Sequence, residues 1–194
     1  TDRRPPLTIP YPLSPIPFIM QSIFLDYATV SFNGDLDPGA LRRALPQIEL
    51  RPHTAQASVA EVIAGKEVVL VNKLRLAREI IERTPTLRLI ALAATGTNNI
   101  DLEAARGHGV AVCNLRDYCT ASVVQHVLGT VLLLTQKLRE YDALVRSGAW
   151  GRGEQFCLLD FPIRELTGRK LGIVGHGALG KGVAHAATAF GLEV

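Results

Sequence analysis

Three glycines, Gly175, Gly177 and Gly180, have the G-x-G-x-x-G spacing of a turn that binds a dinucleotide. In such a turn the first glycine allows a tight strand-to-helix connection, the second lets the backbone approach a pyrophosphate, and the third lets the helix pack closely on the strand. The apolar run 171–174 predicts a buried strand before the turn, and the apolar residues after it have helical spacing up to Gly191. This context favours nucleotide binding over an ordinary glycine turn.

Two other stretches could bind a small anion at the ends of predicted strands. Asn72 and Lys73 follow the apolar run that ends at Val71, and they offer an amide and an ammonium group. Thr95 and Gly96 belong to the loop after the next apolar run, where hydroxyls, amides and a small residue could surround a carboxylate or phosphate. Ligands of an open parallel sheet collect beyond the carboxyl ends of its strands, so both stretches are candidate binding loops. Solvated turns have the same composition, and the residues alone leave both interpretations open.

The elements that would position these residues alternate between short apolar runs and helical patterns, which is typical of a parallel sheet covered by helices. The predicted strands are 22–25, 48–51, 67–71, 87–92 and 110–112. The predicted helices are 38–44, 58–64, 75–83 and 102–106, with Asp101 as a candidate cap of the last one. The sequence therefore predicts an α/β fold.

A longer helical pattern begins near residue 120 and continues to about residue 148. Thr120 or Ser122 could cap it, it contains no proline, and Gly129 is its one weak position. An apolar stripe with helical spacing widens in its first half, which we therefore expect to be deeply buried. Because the rhythm of short elements stops here, we place a domain boundary near residues 118–120.

Composition limits the classes of protein to which the chain could belong. A hydrophobic content of 47% in 194 residues is enough for a substantial core. The formal charge of +3 comes from scattered residues without a basic patch, so nucleic-acid binding is not indicated. No run approaches the roughly 18 apolar residues of a membrane span. The cysteines at 113, 119 and 157 have neither paired nor metal-ligand spacing, so no metal is predicted and a reducing cytoplasm is favoured.

The segment 1–19 is rich in proline and predicts a disordered tail, because proline is excluded from regular helices and central strands. It lacks the apolar region of a secretory signal. Met20 is the only methionine and directly precedes the first predicted strand. We therefore expect translation of the natural protein to begin at Met20.

Three segments together resemble the D-isomer-specific 2-hydroxyacid dehydrogenases: 93–101, 148–150 and 165–180. Within that family the stretch 156–160 is most similar to the glycerate dehydrogenases, also called hydroxypyruvate reductases. The resemblance extends in order from about residue 23 to residue 194. It implies a flavodoxin-like parallel-sheet substrate domain at 20–118, followed at 119–194 by the first part of a Rossmann dinucleotide-binding domain.

The resemblance also implies the residues of an interdomain cleft between a small 2-hydroxy acid and NAD or NADP. The implied substrate-binding residues are Asn72, Lys73, Thr95 and Gly96. The implied cofactor-binding residues are Thr95, Gly175, Gly177, Ala178, Leu179 and Gly180. Family members often have arginine and isoleucine where this chain has Ala178 and Leu179, and this difference preserves the backbone donors.

The reaction implied by the resemblance is hydride transfer between NAD(P) and a small 2-hydroxy or 2-oxo acid such as glycerate, hydroxypyruvate or glyoxylate. The motifs that carry the family's catalytic arginine, glutamate and histidine do not occur in these 194 residues. We therefore expect a truncated nucleotide domain and no catalysis by this chain alone. The acidic residue that would hold the ribose is expected about 20 residues after Gly175, beyond Val194, so NAD and NADP remain alternatives.

The family forms dimers, and the resemblance implies a homodimer through residues 120–160, including the loop around Trp150. From sequence alone Trp150 could equally be a local packing anchor. Two interpretations of the whole chain stay open: a truncated dehydrogenase, or a naturally short non-catalytic module for dimerisation or binding. A nucleotide-binding regulatory domain of an unrelated family is a third alternative. The first predicts an open reading frame that continues after Val194, and the second predicts a stop codon there.

Overall fold

The computed structural model describes residues 20–194, so the predicted tail at 1–19 lies outside the described residues. The chain forms two compact units, a first unit that ends at Arg116 and a second unit that begins at Asp117. No helix within residues 20–194 combines the length and apolar character needed to cross a bilayer.

The first unit contains a five-stranded sheet in which every pair of neighbouring strands is parallel. The strands are β1 Ser22–Phe24, β2 Glu49–Leu50, β3 Val68–Val71, β4 Leu89–Leu92 and β5 Ala111–Asn114. Their order across the sheet is β2-β1-β3-β4-β5, the flavodoxin-like order of doubly wound folds. The predicted α/β fold with a parallel sheet is confirmed.

Four helices accompany this sheet: α1 Gly39–Ala44, α2 Val59–Val62, α3 Arg78–Glu82 and α4 Leu102–Gly107. Each lies where a helix was predicted, although α2 and α3 are shorter than expected. At the start of α4, Asp101 Oδ1 accepts a hydrogen bond from the Ala104 N–H at 2.8 Å. The predicted cap is therefore confirmed, and it satisfies one of the N–H groups that a helix start leaves without an intrahelical partner.

The core of the first unit is centred on side-by-side residues of three adjacent strands. Ile23, Val69 and Ile90 are in register across β1, β3 and β4, and all three are fully buried. Such burial is expected when helices cover both faces of a parallel sheet. Because the centre of the sheet is closely packed, the loops that leave its carboxyl edge start from fixed positions.

The second unit contains α5 Thr120–Thr135, α6 Leu138–Arg146, α7 Ala149–Arg152 and α8 Ala178–Ala189. The prediction of one helix from 120 to 148 is wrong, because the chain breaks at Lys137, whose φ of 55° is left-handed. The Arg164 N–H donates to the Thr135 carbonyl at 3.0 Å, and Gln136 Nε2 donates to the Arg164 carbonyl at 2.9 Å. A distant segment thus takes the hydrogen bonds that would have continued the helix.

The prediction that the first half of this region is deeply buried is also wrong. Leu128 is the one buried residue of α5, and Leu134 is 64% exposed. Within the second unit α5 packs against α8, and the buried cluster between them includes Leu128 and Ala187. An apolar stripe indicates which face a helix can bury, but the face is covered only where a partner element lies on it.

The segment 171–174 does not form the predicted buried strand. In the described part of the chain its neighbourhood has one bridge, between Lys170 and Glu193, and Val174 is fully exposed. A strand of a parallel sheet is buried when hydrogen-bonded strands lie on both sides of it, and this segment has only the residues around Glu193 beside it. The following helix ends at Ala189, and Gly191, two residues further on with a left-handed φ of 75°, marks the stop that the sequence predicts.

Candidate functional site

The loop after β3 carries Asn72 and Lys73 at the carboxyl edge of the sheet. The Asn72 side-chain amide donates a hydrogen bond to Thr29 Oγ1 at 2.9 Å, so its nitrogen is already engaged within the protein. Lys73 is exposed. The loop therefore offers a solvent-accessible ammonium group beside an asparagine whose orientation is fixed.

Asp26, which was not among the predicted site residues, determines the shape of this loop. It follows Leu25, the last residue of the apolar run that contains β1, and is 4% exposed. Its carboxylate accepts hydrogen bonds from the N–H groups of Asn72 at 2.9 Å and Lys73 at 2.6 Å. The signal that could have identified it is a carboxylate immediately after a buried strand, at the same edge as the candidate loops.

The loop after β4 carries Thr95 and Gly96, and both residues are exposed. Asn114 Nδ2 at the end of β5 donates to the Thr95 carbonyl at 2.7 Å, which attaches the loop to the neighbouring strand. A Cβ added to Gly96 would lie 3.1 Å from Asn98 Oδ1, which is closer than most side chains tolerate. The loop is therefore attached to the sheet through β5, while its tip at Thr95 and Gly96 is exposed.

The structure brings these two loops together. The strands β3 and β4 are adjacent and parallel, so their carboxyl ends lie at one edge. Asn99 Nδ2, from the loop after β4, donates to the Leu74 carbonyl at 2.9 Å and to the Asn72 carbonyl at 3.4 Å. The predicted substrate-binding residues thus belong to one connected group within the first unit.

The glycine turn lies in the second unit and gives each glycine a separate role. Gly175 has a left-handed φ of 98°, which a residue with a side chain rarely adopts. A Cβ added to Gly180 would overlap the Gly175 carbonyl and lie 3.4 Å from Ile173 Cγ2. Gly177 precedes α8 with a φ of −77°, and no atom lies within 4 Å of where its Cβ would be.

The N-terminus of α8 is suited to an anion. The first N–H groups of a helix lack intrahelical acceptors, and here they belong to Ala178, Leu179 and Gly180. The positive end of the helix dipole adds to the attraction, and no side chain caps this end. The exposed backbone can donate hydrogen bonds to a pyrophosphate without any contribution from the side chains of residues 178 and 179.

Neither candidate site, as far as the structure describes the chain, contains a cluster of metal-ligating side chains. Within residues 20–194 no cluster of three or more histidine, cysteine, aspartate and glutamate side chains could hold a metal ion. Elsewhere, the hydrogen bond from Lys66 to Glu49 Oε2 at 3.1 Å lowers the pKa of the Glu49 carboxyl, and Arg51 adds to this effect. The sites therefore depend on backbone donors and single charges.

Comparison with known proteins identifies what this architecture is similar to. Residues 30–192 match the family described as D-isomer specific 2-hydroxyacid dehydrogenase, catalytic domain. A glycerate dehydrogenase of Methylorubrum extorquens is 40% identical over 136 residues, which are 70% of this chain and 43% of the relative. A hydroxypyruvate reductase of Blautia hydrogenotrophica is 32% identical over 164 residues, which are 83% of this chain and 51% of the relative.

Solved structures show the same fold. A protein of Polaromonas sp. JS6 66, described as a D-isomer specific 2-hydroxyacid dehydrogenase, NAD-binding, has a TM-score of 0.73 and 28% identity over 89% of this chain and 53% of its own. A D-lactate dehydrogenase of Aquifex aeolicus has a TM-score of 0.69 and 22% identity over 88% of this chain and 49% of its own. The chain spans about half the length of the relatives it matches.

Proposed function

Because the chain belongs to the D-isomer specific 2-hydroxyacid dehydrogenase family, we propose that it binds NAD or NADP and a small 2-hydroxy acid as part of an oxidoreductase. The observation that carries the proposal is the glycine turn. Its backbone leaves an open space beside Gly177, directly before the unpaired N–H groups of α8. This space suits the pyrophosphate of a dinucleotide.

The residues of the turn would divide the work of holding the cofactor. The N–H groups of Ala178, Leu179 and Gly180 would donate to pyrophosphate oxygens, and Gly177 would let the phosphate approach the backbone. When bound, the nicotinamide supplies or accepts the hydride. The description of the Polaromonas relative as NAD-binding supports this assignment, and both NAD and NADP contain the same pyrophosphate.

The sheet edge of the first unit would bind the acid. The exposed ammonium of Lys73 is suited to the carboxylate, and the open backbone around Thr95 and Gly96 is suited to further polar contacts. The names of the relatives, glycerate dehydrogenase and hydroxypyruvate reductase, support a small 2-hydroxy or 2-oxo acid.

Binding without turnover is the expected behaviour of the 194-residue chain. ADP-ribose contains the pyrophosphate and lacks the nicotinamide, so it isolates the contribution of the glycine turn. Titration with ADP-ribose should shift the amide NMR signals of Ala178, Leu179 and Gly180 in a saturable manner, and adenosine at the same concentrations should not.

Two outcomes would contradict this proposal in different ways. Equal responses to adenosine and ADP-ribose, or unmoved signals at residues 178–180, would reject the turn as a pyrophosphate site. Oxidation of NADH in the presence of hydroxypyruvate would reject the expectation of no turnover, which rests on the family's catalytic motifs not being found in these 194 residues. Both measurements use the same purified chain.

We also propose that residues 120–160 form a homodimer interface. Phe156 is 94% exposed, Leu159 is 80% exposed, and the Trp150 ring, 6.1 Å from that of Phe156, is itself half-exposed. Exposed apolar side chains gathered on α7 and the loop that follows it are typical of a protein interface. An isologous contact would cover this loop on each subunit with its symmetry mate.

Replacement of both Phe156 and Leu159 by serine should weaken the dimer by about tenfold or more, because each loses an apolar side chain from the interface. Sedimentation velocity over a concentration series measures the change. Phe32→Ser is the matched control, because Phe32 is 75% exposed in the first unit and outside the proposed interface. A wild-type chain that stays monomeric throughout the series would contradict this interface. So would a Phe32→Ser variant whose dimer is weakened as much as that of the variant with serine at 156 and 159.

A further inference from the structure

We propose that Asp26 is a positioning residue, which fixes the loop carrying Asn72 and Lys73 in the geometry that binds substrate. The inference rests on the proposed function, in which this loop binds a small 2-hydroxy acid. Asp26 is not proposed to touch the substrate. It acts on the backbone of the residues that do.

The Asp26 carboxylate gathers three consecutive amides. Its Oδ1 accepts from the Asn72 N–H at 2.9 Å, and its Oδ2 accepts from the Lys73 N–H at 2.6 Å and the Leu74 N–H at 3.3 Å. A carboxylate is an acceptor only, so three converging donors are what a buried one requires. Hydrogen bonds to a charged acceptor are stronger than neutral ones and therefore hold the backbone more firmly.

The place of Asp26 in the sheet explains why it reaches this loop. The pairing of β1 with β3 continues to the Leu25 N–H, which donates to the Leu70 carbonyl at 3.0 Å. Asp26 is the next residue after Leu25, and it lies beside the point where the chain leaves the sheet after β3. The Asp26 side chain is only 4% exposed, so water cannot solvate its carboxylate. The hydrogen bonds from the three amides are therefore needed to offset the cost of burying it.

The turn after Asp26 fixes the Asn72 side chain as well. The Thr29 hydroxyl donates to the Asp26 carbonyl at 2.7 Å, so its oxygen can only accept from Asn72. The Asn72 amide nitrogen must therefore face Thr29, at 2.9 Å, and the amide oxygen is left as the acceptor of this side chain. The amide oxygen can accept from the hydroxyl of a 2-hydroxy acid, and the ammonium of Lys73, the next residue along the chain, suits its carboxylate.

The test uses Asp26→Asn in the 194-residue chain, with D-glycerate as the probe. Asparagine has the same shape but replaces one acceptor oxygen with a donor that faces a backbone N–H. Hydrogen exchange by NMR should show about tenfold less protection at one or more of the amides 72–74, with the β4 amides unchanged. The affinity of the folded protein for D-glycerate should also fall about tenfold.

Asp37→Asn is the matched control, because the Asp37 carboxylate also accepts a backbone N–H, from Gly39 at 2.8 Å, but is exposed and belongs to another loop. It should change neither measurement. Should Asp26→Asn fail to give a folded spectrum, Thr29→Val replaces it. That variant removes the closer acceptor of the Asn72 nitrogen at an exposed position and leaves only the Thr29 carbonyl at 3.4 Å, so it should weaken D-glycerate binding several-fold.

The affinity measurement separates positioning from a purely structural role. The inference is overturned if Asp26→Asn loosens the amides but the folded protein binds D-glycerate normally. It is also overturned if amide exchange at residues 72–74 is unchanged in Asp26→Asn, or if the affinity for D-glycerate is unchanged in Thr29→Val. Lys73→Met tests the proposed function separately and should weaken D-glycerate binding without altering amide exchange. If the wild-type chain does not respond to D-glycerate, the substrate site itself is wrong and the positioning role falls with it.

Discussion

Gly180→Ala is expected to destabilise the second unit and abolish binding of ADP-ribose together. The added methyl would overlap the Gly175 carbonyl, and this backbone group cannot avoid the overlap by changing rotamer as a side chain could. Ile173 Cγ2, 3.4 Å from the same position, further limits the space for the methyl group. Overpacking of this kind costs about 1–3 kcal/mol, and relief requires α8 to move away from the turn. That movement displaces the N–H groups proposed to bind the pyrophosphate.

Thermal unfolding followed by circular dichroism and calorimetric titration with ADP-ribose measure the two effects. Gly172→Ala is the matched control, because Gly172 has no atom within 4 Å of its potential Cβ and does not have a left-handed φ. It should leave both properties close to those of the wild-type chain. A Gly180→Ala variant as stable as Gly172→Ala would mean that the close approach seen in this turn does not occur in solution.

The parallel sheet could be predicted from sequence because burial on both faces leaves a strong trace. Val68–Val71 is apolar at every position, and three of its four residues are buried. The loops after β3 and β4 could likewise be predicted to share an edge, because parallel strands end on the same side. Local pattern and global position agree for these elements, so the inference from sequence is short.

The errors occur where a distant segment decides local structure. Nothing near Lys137 shows that Arg164 will take the Thr135 carbonyl and end α5 there. Asp26 was missed for the same reason, since its hydrogen-bond partners lie 46 to 48 residues further along the chain. The apolar stripe of α5 indicated a face able to be buried, but only a tertiary neighbour determines how much of it is covered.

The glycine turn combines both situations. Its spacing correctly predicted a turn that leads into a helix, which begins at Ala178, and the observed φ of 98° at Gly175 explains why the first position is a glycine. The strand predicted before the turn is absent, since in the described residues that run has no flanking strands and the one bridge beside it is formed by Lys170. The motif therefore predicts its own backbone better than the environment around it.

Gly177→Ala should retain the fold and lose the nucleotide, in contrast to Gly180→Ala. The φ of −77° and ψ of −164° at Gly177 suit alanine, and its new methyl would meet no protein atom within 4 Å. The stability of the second unit should therefore stay within about 1 kcal/mol of the wild-type value. The methyl would instead occupy the space directly before the N–H groups of Ala178 and Leu179, where the pyrophosphate is proposed to lie.

Steric exclusion at that point should raise the Kd for ADP-ribose by about tenfold or more, on the scale of other overpacked contacts. Calorimetric titration measures the affinity, and thermal unfolding of the same sample shows whether the fold is intact. Because Gly177→Ala keeps α8 in place, its loss of affinity can be assigned to a blocked approach of the ligand rather than to displacement or unfolding of the helix. An unchanged Kd in a folded Gly177→Ala chain would show that the N-terminus of α8 is not where the pyrophosphate binds.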